Sequence, residues 1–226
     1  MLWKVINAAD YGLPQQRMRV FVVATRTDLD LSYSFPPPTH SRSALVADML
    51  SGGYWERHRI RPRSEFLQLE TGKSTLDIGP TKPWKTERDL LAEIPTPSED
   101  GDSLLEDHRI VPGAKAYPGH EGSDLDWPSK TVKAGVHGVP GGENTLRLPG
   151  GGVRYFTLRE TAFLQGFPAG YKFCGSRIHV TRQIGNAVPP ELAFSIGLPL
   201  AEALGRLPEK THSKTVDRRA QHGYHR

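Results

Sequence analysis

The chain has 226 residues, 37% hydrophobic and 24% charged, a composition that excludes a disordered tail and a membrane protein. Its formal net charge of +4 resides in residues 206–226, where six Lys/Arg face two acidic residues. The rest is neutral, so any nucleic-acid surface there must come from local clusters. The sole cysteine, Cys174, excludes an internal disulfide and a cysteine-rich zinc site, predicts no metal centre and suits a reducing, cytoplasmic setting.

In chain order, residues 2–6 and 20–24 read as short strands separated by a polar, Gly/Pro-containing loop. Val20, Phe21, Val22, Val23 and Ala24 are apolar at every position, which predicts a strand covered on both faces. Two strands cannot bury themselves, so the pair calls for a larger sheet. Residues 32–83, with Pro36-Pro37-Pro38 and Gly52-Gly53, read as irregular apart from a helix expected over 44–50. A second helix is expected over 87–93, where Leu90, Leu91 and Ile94 give a partial apolar stripe. The glycine-rich residues 95–155 predict short strands and loops.

Thr157-Leu158-Arg159-Glu160 has the spacing of a capping box and opens a short helix stopped by Gly166 and Pro168. A last helix follows Pro189-Pro190, with Leu192, Ile196, Leu200 and Leu204 on one face. Pro199 predicts a kink and Gly205 the end. The tail, residues 206–226, is expected to be disordered.

Three segments carry chemistry. The first is Asn7-Ala8-Ala9-Asp10-Tyr11-Gly12-Leu13-Pro14-Gln15-Gln16-Arg17-Met18-Arg19, leading into the second strand. Within it Gln15, Arg17 and Arg19 alternate, so they share a side and form a donor-rich site for phosphate or a base edge. A solvated strand edge is the other reading. The second segment is Leu158-Arg159-Glu160-Thr161-Ala162-Phe163-Leu164-Gln165-Gly166-Phe167-Pro168, where Arg159 and Glu160 either scaffold or form a surface ion pair. The third, Gln183-Ile184-Gly185-Asn186-Ala187-Val188-Pro189-Pro190, places Asn186 and Ala187 just before a helix N-terminus. Free N–H groups there favour a carboxylate; a plain helix-entry turn is the alternative.

In order and type these segments resemble motifs VIII, IX and X of the DNA (cytosine-5)-methyltransferases, over about residues 3–204 and loosely in the middle. The resemblance implies that Arg17 and Arg19 help hold the DNA backbone and the flipped-out cytosine, with Arg19 at the base. It implies that Arg159 and Glu160 position the recognition domain, and that Asn186 and Ala187 lie by the methionine end of S-adenosyl-L-methionine. Many relatives carry Ser where Ala187 stands. Between the first two motifs the family keeps its target-recognition domain, with its core here expected over residues 108–156. Pro128-Ser129-Lys130-Thr131-Val132-Lys133-Ala134-Gly135 resembles its Thr-plus-aliphatic element. His137-Gly138-Val139-Pro140-Gly141-Gly142-Glu143-Asn144 is a Gly-rich loop able to approach a groove. Lys130, Thr131, Lys133, His137 and Asn144 join Gln15 and Arg17 as DNA-binding candidates, with an ordinary loop as the alternative. Arg57, Arg59, Arg61 and Arg63 form a basic cluster that either meets the DNA backbone or is a solvated face.

The reaction of that family needs a cysteine thiolate to attack C6 of cytosine. Its Pro-Cys and Glu-Asn-Val motifs and its Gly-rich cofactor loop are absent from this sequence, and Cys174 stands in no matching context. The resemblance therefore implies an α/β chain: terminal strands and closing helix of a Rossmann-like S-adenosylmethionine-dependent methyltransferase sheet, plus a small β-rich target-recognition domain. The expected divisions are catalytic strands 1–34, a connecting region 35–107, the recognition core 108–156, motifs IX and X with the closing helix 157–205, and the tail 206–226. The implied function is that of a C-terminal portion or subunit of a cytosine-5 DNA methyltransferase, in a bacterial restriction-modification or orphan methylation system. Its partners are double-stranded DNA and an N-terminal methyltransferase polypeptide carrying the catalytic cysteine, without which it is inactive. A split enzyme and an incomplete reading frame both fit. The rivals are a non-catalytic, sequence-specific DNA-binding remnant and an RNA-methylating relative, the latter disfavoured by the long middle region.

Overall fold

β1 (Leu2–Asn7) and β2 (Met18–Val23) pair antiparallel, with Leu2 opposite Val23 and Asn7 opposite Met18. The computed structural model that shows this describes residues 1–29, 31–69, 80–102, 104–119, 121–135 and 144–205. His137, most of its Gly-rich loop and the tail 206–226 lie outside the described residues. Between the strands runs a single 3-10 turn, Ala8–Tyr11, ended by Gly12 at φ +90°. A side chain at position 12 would be strained twice over: by that φ, and by the His40 ring 2.8 Å from any Cβ.

One face of this ribbon packs inward through Ile6, with Phe21 against it, and meets α7 (Pro190–Ala203) at Leu192 and Ile196. The other face bears Trp3, Val5, Met18, Val20 and Val22, all exposed. The expectation of burial on both faces is thus corrected: nothing among the described residues covers this side. α7 runs through Pro199 as one helix. Its stripe is buried at Leu192 and Ile196 only, and Leu204 is exposed.

The region after the ribbon builds a second core. β3 (His40–Ser41) pairs parallel with β4 (Lys82–Pro83), and Ser41 caps α1 (Arg42–Ser51) by accepting from the Ala44 N–H at 3.1 Å. α2 (Gly53–His58) and α3 (Ser64–Leu67) follow. Leu45, Met49, Tyr54, Trp55, Phe66 and Trp84 close over Ala9. α4 (Glu87–Leu91) starts in a capping box, Thr86 with Asp89.

The third core joins α4 to the back half of the chain. β5 (Thr145–Arg147) pairs antiparallel with β6 (Val153–Tyr155), and α5 (Leu158–Leu164) opens in the expected Thr157/Glu160 capping box. Leu90, Val132, Leu146, Phe156, Phe163 and Leu164 pack with Val180 and Ile184 of α6 (Arg177–Asn186). Within residues 108–156, β5 and β6 are the described strands, and short bridges and turns make up the rest.

Candidate functional site

The chain entering β2 lies beside residues 129–132. Ser129 N–H donates to the Pro14 carbonyl at 2.9 Å, Gln16 N–H to the Ser129 carbonyl at 2.8 Å, and the Thr131 hydroxyl to the Gln16 carbonyl at 2.7 Å. This parallel strip turns Gln15 and Arg17 toward the interior. Gln15 is 0% exposed; its amide nitrogen donates to the Leu164 carbonyl and to Gln165 Oε1, each at 3.0 Å. Its Oε1 accepts from Val132 N–H at 2.9 Å, while Gln165 Nε2 donates to the Ile184 carbonyl at 2.6 Å.

Arg17 is 3% exposed. Its Nη1 donates to the Val132 carbonyl at 3.1 Å, and Nη2 to the carbonyls of Gly185 at 2.8 Å and Ala187 at 3.3 Å. Nε has no hydrogen-bond partner among the described residues. Burial, and then the nearby Arg19 charge, pull the guanidinium pKa down to about 10, so it stays cationic at neutral pH. The three sequence motifs and the residues around Val132 therefore meet at one buried polar node. Alternation does place Gln15 and Arg17 on one side, but that side faces the protein. Apart from the buried Arg17 Nε, their donors are spent on carbonyls and an amide of the chain, and facing inward they have no direct reach to a phosphate as placed.

Arg19, at the Ile6 position of the ribbon, is exposed and donates to the Met18 carbonyl at 2.7 Å. Lys130 and Lys133 are exposed nearby along the chain. Asn144 pins the backbone of Lys133: its Oδ1 accepts from the Lys133 N–H at 3.3 Å and its Nδ2 donates to the Lys133 carbonyl at 3.4 Å. At Gly185 the backbones touch so closely that a Cβ would fall 2.4 Å from the Ala134 nitrogen.

Arg159 and Glu160 are both buried, so the surface ion pair is not what forms. Arg159 donates to the Glu106 carbonyl at 2.8 Å and the Tyr171 carbonyl at 2.9 Å. Glu160 takes both Arg154 amino groups at 2.7 Å and caps Thr157 N–H at 2.8 Å. The arginine cluster also divides. Arg57 pairs with Asp48, and Arg63 pairs with Asp124, Asp126 and Glu65; Arg59 and Arg61 are exposed. Two of the four arginines are thus paired with carboxylates.

Asn186 and Ala187 stand just before α7, as expected, and they also close α6. Asn186 is the last residue of α6 and Ala187 its cap. Ala187 N–H donates to the Ile184 carbonyl at 3.2 Å, and its carbonyl accepts from Arg17. Pro189 and Pro190, at the head of α7, have no N–H to give. The Ala187 backbone is thus engaged within the chain, and the Asn186 side chain, on an exposed residue, is what the pair offers.

Two features escape sequence reasoning. One is α6 itself, whose signal is thin: Val180 and Ile184 four apart in an otherwise polar run. The other is Glu87, 0% exposed with neither carboxylate oxygen hydrogen-bonded among the described residues. Burial pushes its pKa well above 4.5, reinforced by Asp124 and Glu160. Ser123 and Arg154 pull the other way without closing a hydrogen bond.

The strand-entry, helix-end and loop motifs thus lock onto one node. The family model for C-5 cytosine-specific DNA methylase matches residues 1–202, and the chain belongs to that family. This corrects the expectation of a C-terminal part with the N-terminal motifs absent, because the match begins at residue 1 and takes in the N-terminal part of this chain. The type II methyltransferase M.NgoFVII of Neisseria gonorrhoeae is 34% identical over 202 residues, 87% of this chain and 49% of that protein. M.XorII of Xanthomonas oryzae is 28% identical over 235 residues, 92% of this chain and 52% of that protein. The chain thus spans about half the length of the curated relatives it matches. Among solved structures, the S. pombe Dnmt2 methyltransferase is similar at a TM-score of 0.45 with 16% identity, covering 90% of this chain and 57% of that one.

Proposed function

We propose that this chain serves the methylation of cytosine C5 in duplex DNA within a bacterial restriction-modification or orphan methylation system. The observation that carries the reading is the convergence of residues 15–17, 164–165 and 184–187 on one buried node beside the segment 129–134. Gln15 and Arg17 hold that node, and Arg19, left exposed at its edge, is the guanidinium for the flipped base. Lys130, Lys133 and Asn144 belong to the target-recognition face over residues 108–156. S-adenosyl-L-methionine supplies the methyl group in this family.

The nucleophile comes from a polypeptide segment outside residues 1–226, on the same chain or on a separate one. Cys174, the sole cysteine, is exposed and follows Phe173 rather than a proline. The exposed apolar face of β1–β2 is the surface that such a polypeptide covers. Methylation of duplex DNA, assayed with and without a polypeptide bearing Pro-Cys and Glu-Asn-Val motifs, tests this reading. Activity is expected only from the combination. Arg19→Ala should then lower methylation far more than DNA binding, and equal losses would argue against a place at the base. Duplex binding that no such polypeptide converts to methylation would instead identify a non-catalytic DNA-binding protein.

A further inference from the structure

Most buried or paired arginines of the chain are neutralised: Arg26, Arg57, Arg63, Arg88, Arg147 and Arg154 each meet a carboxylate. Helix α6 breaks the pattern. Its ten residues contain Arg177, His179 and Arg182 and no acidic side chain. Both arginines are exposed, and neither has an ion-pair partner among the described residues. Both therefore carry a charge that no carboxylate among the described residues offsets.

Their position gives them a partner of definite chemistry. At Gly185, α6 rests directly on the backbone of Lys133 and Ala134. Arg177, Ile178 and Thr181 form one wall of a groove of 320 Å³ whose other wall includes Gly135, Asn144 and Tyr155. Asn144 also pins Lys133 at this groove. Arg182 is exposed one helical turn beyond Ile178. Arg177 in the groove wall and Arg182 exposed beyond it, on a helix without a carboxylate, match a polyanion.

We propose that α6 is a backbone-contacting face of the DNA site, with Arg177 and Arg182 neutralising phosphates of the duplex that Lys133 and Asn144 face. This rests on the DNA reading above and adds an element to it. Contacts of this kind position the duplex without reading sequence, and they bring salt dependence.

The experiment is fluorescence anisotropy of the full chain with a mixed-sequence DNA duplex over a salt series. The logarithm of the affinity should fall linearly with the logarithm of salt concentration. Arg177→Ala and Arg182→Ala should each make that slope shallower by about 0.9, and the double variant by about twice as much. Arg177→Lys and Arg182→Lys should keep the slope, which separates charge from shape. Circular dichroism of every variant should match the parent, since both side chains are exposed. A slope unchanged in the alanine variants overturns the role of α6 and leaves the DNA reading standing. A parent chain without salt-dependent duplex binding overturns both. Tighter binding of an RNA duplex than of DNA overturns the choice of partner.

Discussion

The Arg17 guanidinium donates to the Gly185 carbonyl at 2.8 Å, joining residues 168 positions apart in the chain. Through Nη1 the same group holds the Val132 carbonyl. One side chain thus fixes the strand entry, the recognition segment and the end of α6 relative to one another. Arg17→Met should cost about 2–4 kcal/mol, because it strands carbonyls that water reaches poorly, partly offset by removal of a buried charge. Arg17→Lys should not restore the loss, since a single ammonium cannot span carbonyls that a planar fork reaches at once. Urea denaturation of the three proteins checks this; equal midpoints would sink it.

Gly185 meets the other half of the same junction. An added Cβ would lie 2.4 Å from the Ala134 nitrogen and 2.6 Å from the Lys133 carbonyl carbon, both backbone atoms that cannot swing aside. Gly185→Ala should therefore destabilise by about 3 kcal/mol or more. Gly197, in α7 with nothing within 4 Å of its Cβ position, is the control. Gly197→Ala should stabilise by about 0.5–1 kcal/mol through helix propensity alone. Thermal melts that shift in the same direction for both variants would contradict this.

Sequence reasoning succeeds where a local rule dominates. The Thr157/Glu160 capping box, the 44–50 helix and the strand pair each follow from a short-range pattern, and each forms. It fails where tertiary contacts decide. The alternation of Gln15, Arg17 and Arg19 correctly predicts a shared side, but not that Leu164, Gln165, Gly185 and Ala187 would occupy it. The Asn186-Ala187 turn does enter α7, but that it also ends α6, with only Val180, Ile184 and Gly185 buried, leaves little trace in the sequence. The arginines at 57–63 look like one basic face because their carboxylates, Asp48, Asp124 and Asp126, lie elsewhere in the chain.

Glu87 sets a pH dependence of unusual sign. Its folded pKa lies well above the 4.5 of an ordinary glutamate, with burial as the main cause. Between those two values the folded state binds more protons than the unfolded one, so stability falls as pH rises. One such group contributes a slope of about 1.4 kcal/mol per pH unit at most. Glu87→Gln keeps the shape without the charge, and it should flatten this decline and raise the melting temperature at neutral pH. His40 acts oppositely. Burial, with Lys85 and Lys82, lowers its pKa to about 4, so the fold loses stability as pH drops from 6.5 to about 4, where the unfolded chain binds the proton first. Melts from pH 4 to 8 separate the two by sign: Glu87→Gln removes the decline with rising pH and keeps the His40 rise. No change on the neutral limb would show that Glu87 is not protonated in the folded chain.

The uncovered face of the ribbon leads to a prediction about association. Trp3 stands opposite Val22 and Val5 opposite Val20, with Met18 at the end. Cross-strand apolar pairs in water are a template for another surface, and an edge beside them invites further strand pairing. The isolated chain should therefore self-associate, with sedimentation showing species that grow with concentration. Val20→Thr with Val22→Thr keeps β propensity and the register to β1 while removing the apolar face. That double variant should sediment as a smaller species and keep the inward Ile6–Ile196 core. It should also bind the proposed cysteine-bearing polypeptide more weakly, since both effects draw on the same surface. A parent chain that stays monomeric at every concentration and melts in one cooperative step would show that this face needs no cover.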